Sequence, residues 1–84
     1  MALKKIGICR NKPVYLTSPY CVDRFFQRNL QDKEALEALK SPQISYPEQA
    51  GRQKIRALLL NGKRVFLTIK ETSEKIIIIT GGES

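Results

Sequence analysis

Residues 54–70 read KIRALLLNGKRVFLTIK, two aliphatic and β-branched runs around Asn-Gly, and the length of the turn between them decides which side chains share a face. A two-residue Asn61-Gly62 loop sets Leu60 opposite Lys63 and Arg56 opposite Leu67, which mixes polar and apolar groups on both faces. A three-residue loop, Leu60-Asn61-Gly62, with Gly62 left-handed and a bulge beside it, shifts the pairing by one residue. Ile55 then faces Leu67 and Ala57 faces Val65, while Lys54, Arg56, Phe66 and Thr68 share the other side. A slip of one residue reverses every side chain of a strand, and only the second register is consistent. The bulged hairpin is therefore predicted.

Working outward, Lys75–Thr80 contains IIIIT, a strand with no polar alternation, predicted to be central and covered on both sides. QISY, ending at Pro47, is a short strand, and EQAGRQ a loop. DKEALEALK is a helix with acids early and Lys40 late, as the helix dipole prefers, with Ala35, Leu36 and Leu39 as its core face and Pro42 as its stop. Before it, TSPY opens another helix, with Ser18 as cap and Pro19 in the first turn. Val22, Phe25 and Phe26 give that helix an apolar stripe, and Tyr20, Arg24 and Arg28, four apart, give it a second. Lys4–Arg10 and Val14–Thr17 read as short strands around an NKP turn, the lysines protecting an edge.

The predicted fold is α+β: two helices on one face of a mostly antiparallel sheet of about four strands. Residues 1–16 add a strand or hairpin, residues 17–80 form the core, and residues 81–84 a flexible tail, all within one domain. At 84 residues the core is modest, which leaves a homodimer open.

Fifteen lysines and arginines against eight acids leave a formal charge of +7, a field that attracts polyanions or an acidic protein. The charge is clustered, with Lys4, Lys5, Arg10 and Lys12 in one acid-free segment and Arg52, Lys54, Arg56, Lys63 and Arg64 in another. Two such segments suggest a patch, although charge also keeps small domains dispersed. Cys9 and Cys21 stand alone, and no histidine is present. A disulfide framework, a zinc site and a secretory signal are all unsupported, and IIIIT is too short to span a bilayer. The expectation is a cytoplasmic protein with two free, buried thiols and no cofactor.

The marks LTSPYCVDRFFQRNL, EALEALKSPQI, GRQKIRALLLNGKRVFLTI and IIIIT, between about Thr17 and Thr80, carry a resemblance. They resemble a bacterial and phage family of small uncharacterised domains, itself similar to the RelE/ParE toxins and, more remotely, to the barnase and colicin ribonucleases. In that family the first mark usually reads Thr, then His, with arginines four and eight residues beyond the histidine. Here Arg24 and Arg28 match, and Tyr20 stands where the histidine would be. The resemblance implies a RelE-like fold and a metal-independent ribonuclease neutralised by an acidic antitoxin; the missing histidine puts inherited catalysis in doubt. RelE-like ribonucleases can work with lysine, arginine and tyrosine.

Such cleavage needs a base on the 2′-hydroxyl, an acid on the leaving oxygen and cations around the phosphate. Tyr20, Arg24 and Arg28 are the catalytic candidates, and Arg52, Lys54, Arg56, Lys63, Arg64 and Tyr46 the candidates for holding RNA. Each also has a plainer explanation. Arg24 and Arg28 would pair with Asp23, Asp32 or Glu37, Tyr20 would sit at the core edge, the strand arginines would simply face water, and Phe25, Phe26 and Phe66 would be core. Two functions remain open, a RelE-type ribonuclease and a non-catalytic module, phage-encoded or bacterial, that binds an acidic protein as inhibitor or adaptor. Nonspecific DNA binding is a third.

Overall fold

The computed structural model describes residues 2–84. The elements are β1 (Ala2–Cys9), β2 (Lys12–Ser18), α1 (Tyr20–Gln27), α2 (Asp32–Lys40), β3 (Ile44–Pro47), a single 3-10 turn (Gln49–Gly51), β4 (Gln53–Leu58), β5 (Arg64–Glu71) and β6 (Ile76–Glu83). The strands form one mixed sheet in the order β1-β2-β6-β5-β4-β3. Both helices pack on one face of it. The α+β class stands, but six strands replace the expected four or so, because the N-terminal hairpin is a full part of the sheet. β2 joins it by parallel pairing with β6, Val14 to Ile76 through Leu16 to Ile78.

The hairpin at the centre of the sequence argument has the bulged register. Ile55 pairs with Leu67, Ala57 with Val65, Lys54 with Thr68 and Arg56 with Phe66. The Leu59 amide donates to the Lys63 carbonyl at 2.8 Å, and Gly62 closes the turn at φ +89°, a conformation that glycine adopts without a Cβ clash. The Asn61 side-chain oxygen accepts from the Lys63 amide at 2.9 Å. At the N-terminus the turn is Arg10-Asn11, both residues at positive φ, rather than the expected NKP. Lys12 and Pro13 belong to β2.

The core lies between the helices and the sheet. Val14, Leu16, Ile55, Leu67, Ile69, Ile76 and Ile78 point inward from the strands, and Phe25, Ala35, Ala38 and Leu39 meet them from the helices. Each fully buried aliphatic side chain stabilises the fold by about 1.5–3 kcal/mol. Alanines at two of the four helical positions let α2 approach the sheet closely.

Several local expectations are corrected. Ser18 does not cap α1: it pairs with Ala2 at the end of β2, and Pro19 occupies the cap position without a side-chain hydrogen bond. α1 buries Cys21 and Phe25, one turn apart, with Val22 half-buried beside them. That rotation leaves Phe26 89% exposed, not in the core. β6 is central, yet only one of its faces is covered by helices; Ile77 and Ile79 are half-buried on the other. β6 also runs on to Glu83, and the Ser84 amide donates to the Arg64 carbonyl, so the segment read as a flexible tail is tied into the sheet.

Candidate functional site

The sheet face opposite the helices collects most of the candidate residues. Strand alternation puts Lys54 and Arg56 of β4 on it together with Arg64, Phe66, Thr68 and Lys70 of β5. β3 extends the row, with Tyr46 opposite Lys54 and Ile44 opposite Arg56. Phe66 is half-buried and does not belong to the core as expected, because its register position turns it away from the helices.

Two cations lie over the Phe66 ring. The Lys54 ammonium is 5.4 Å from the ring centroid and the Arg28 guanidinium carbon 5.6 Å. Each such contact on an accessible surface is worth about 0.5–1 kcal/mol, enough to bias a long side chain toward one position. Arg28 reaches this face because β2 accompanies β6 only as far as Ile78. Beyond that point α1 runs beside β6, and Gly82 lets the arginine pass: a Cβ at Gly82 would stand 2.8 Å from the Arg28 Cβ. Gly82 is the residue opposite Phe66 on β5.

Tyr20, at the start of α1, and Arg24, one turn further on, form a separate pair. The Arg24 guanidinium carbon is 5.3 Å from the Tyr20 ring centroid. Tyr20 is 51% exposed and lines a recess shared with Arg52, which brings Arg52 to the same face. Eight residues of helix separate Tyr20 from Arg28, about 12 Å of rise. The three residues read as catalytic are therefore divided, Arg28 with Phe66 and Lys54, and Tyr20 at the opposite end of the helix with the Arg24 guanidinium over its ring.

The remaining basic residues divide sharply. Lys63 sits on the helix side, where its ammonium contacts Glu34 at 2.9 Å and donates to the Asn29 carbonyl at 2.8 Å. It ties the β4–β5 turn to α2 and to the link between the helices. Most of the N-terminal segment does not join the basic face: Lys4 pairs with Asp32, and Arg10 and Lys12 both pair with Glu71, whereas Lys5 stands opposite Tyr15 in the row of Ile77 and Lys70. The pairs expected for Arg24 and Arg28 are not formed. Among the described residues no carboxylate lies within ion-pair distance of Arg24, Arg28, Arg52, Lys54, Arg56, Arg64 or Lys70.

Burial pushes the Glu34 carboxyl up, but hydrogen bonds from the Gln31 amide, Lys63 and Asn61, together with the Lys63 charge, outweigh it and hold the group below the usual range. At Glu71 the hydrogen bond from Lys12 is the largest influence, and with Arg10 it overcomes burial and likewise lowers the group. Both cysteines are free and buried. Burial pushes the Cys21 thiol up to about 12, despite hydrogen bonding to Thr17, so it is chemically quiet.

Phe66 shares a face with Lys54 and Arg56 in the predicted register, and an aromatic alternating with cations on a face no helix covers is the sequence signal that it belongs to this surface rather than to the core. Lys70 was missed outright. No family model, no curated protein and no solved structure matches the chain. Among the described residues no helix is long and apolar enough to cross a membrane, and no three histidine, cysteine or acidic residues gather as a metal site would require.

Proposed function

We propose that this chain is a small basic RNA-binding domain, RelE-like in the arrangement of its helices and sheet, that holds single-stranded RNA on the face opposite the helices. The observation behind it is the Phe66 ring with Arg28 and Lys54 over it, on a face where Arg56, Arg64 and Lys70 are also free of acidic partners. An aromatic side chain among cations is the pairing by which unpaired bases stack while phosphates are seated nearby. Guanidinium forks match phosphate oxygens and remain charged.

Binding is the proposed activity, with cleavage slow or lost. Metal-independent cleavage needs an acid and a base on either side of one phosphate. The chain has no histidine, and the Tyr20 phenol stands two helical turns from Arg28. A reducing cytoplasm suits the two free thiols.

The test is fluorescence anisotropy of a labelled single-stranded RNA of about ten nucleotides, with gel analysis of the same RNA in EDTA. Salt-sensitive binding, weakened several-fold by Arg28→Ala, with the RNA intact, is the expected result. Absence of salt-sensitive binding overturns the proposal, and rapid cleavage in EDTA that Tyr20→Phe abolishes makes the protein a ribonuclease instead.

A second reading, a non-catalytic adaptor for an acidic protein, is favoured by β3. This edge strand is exposed throughout, carries Ile44 and Tyr46, and lies beside Arg56 and Arg64, so a partner strand can add to its open side. Strand addition would protect from hydrogen exchange the amides of β3 that point away from β4; RNA on the sheet face would not.

A further inference from the structure

The far face carries a second feature that charge alone does not explain. Between β1, β2 and β6 lies a recess of about 290 Å³ whose floor is Thr17, Ile77 and Ile79 and whose sides are Leu3 and Tyr20. Its lining is almost wholly apolar. The one hydroxyl in the floor, on Thr17, is buried and donates to the Ile79 carbonyl at 3.4 Å. Arg52 and Lys70 stand at the rim. The recess exists because β6 bulges between its pairings with Thr68 and Ile69, which turns Ile79 and Thr80 toward the same face.

From this juxtaposition of an apolar floor, a tyrosine ring and two unpaired cations, we infer that the recess is a subsite for one unpaired nucleobase, with the flanking phosphates on Arg52 and Lys70. The inference rests on the proposed RNA binding and adds a base-holding position to it. A flat heterocycle covers the aliphatic floor and the Tyr20 ring without leaving a buried polar group unpaired. Charge complementarity selects the occupant: the two rim cations continue the row that runs through Lys54 to Arg28, so a chain with one anion per unit fits both features at once. An uncharged apolar ligand would use the floor and leave the rim unused.

The experiment compares three probes of equal length, an oligouridylate of about eight nucleotides, the corresponding abasic ribose-phosphate oligomer and inorganic polyphosphate. The wild-type protein is expected to bind the oligouridylate about ten-fold more tightly than the abasic oligomer. The chain contains no tryptophan, so Leu3→Trp places a single reporter in the recess wall. Its fluorescence should be quenched by oligouridylate and left unchanged by the abasic oligomer and by polyphosphate. Ile77→Thr, which keeps the β-branched shape, should narrow the difference between RNA and abasic oligomer several-fold while leaving the affinity for the abasic oligomer unchanged. Equal binding of RNA and abasic oligomer without quenching overturns the subsite and leaves RNA binding standing. Failure of every probe to bind overturns both.

Discussion

The Arg28 guanidinium carbon lies 5.6 Å from the centroid of the Phe66 ring, and the contact joins the end of α1 to the sheet face that α1 does not cover. The helix delivers a cation around the side of β6, and the sheet supplies the aromatic surface that holds it. Lys54 approaches the same ring from β4, so a helical and a strand residue distant in sequence share one anchor.

Gly82 controls that contact. In Gly82→Ala the new methyl meets the Arg28 side chain and displaces it from Phe66. Overpacking of this kind costs about 1–3 kcal/mol of stability. RNA affinity should fall by as much as in Arg28→Ala, with the salt dependence reduced by about 0.7 in slope, one cation's share for a single strand. Urea unfolding and anisotropy titrations at several salt concentrations check the two halves separately.

Lys63 provides the contrast, being basic and close in sequence to the strand cations but engaged with buried Glu34. Lys63→Ala leaves that carboxylate without its charge partner and should cost about 3 kcal/mol in urea unfolding. Below the denaturation midpoint its RNA affinity should equal that of the wild type.

Stability should also fall in acid through Glu34 and Glu71. Both carboxyls are held below their ordinary value of 4.5 in the folded protein. The unfolded chain therefore binds protons first, and the stabilisation, complete well above pH 4.5, is lost as pH falls through the folded-state values. Thermal unfolding followed from about pH 6 down to pH 3 should show the decline, and Glu34→Gln or Glu71→Gln should flatten it.

The parts of this fold legible in the sequence are those with local causes. The β4–β5 register followed from counting one residue in the Leu60-Asn61-Gly62 turn, and α2 from its charge order and apolar spacing. Parallel pairing of β2 with β6 has no turn to announce it, so the place of the N-terminal hairpin was not readable. The rotation of α1 that exposes Phe26 depends on which face the sheet offers, and either Cys21 or Phe26 completes a stripe with Val22 and Phe25. Tertiary pairing likewise decided which cations were free: Lys63, Arg10 and Lys12 found carboxylates, and Arg28, Lys54 and Arg56 did not.

The central claim is that one face, rather than net charge, binds RNA, and equal charge changes on the two faces test it most directly. Arg28→Ala, Lys54→Ala and Arg56→Ala on the far face are compared with Lys33→Ala and Lys40→Ala on exposed positions of α2. The account predicts that each far-face variant weakens single-stranded RNA binding several-fold and lowers the salt slope by about 0.7, while the α2 variants leave both unchanged within error. Equal losses from both sets, or none from the far-face set, would contradict it.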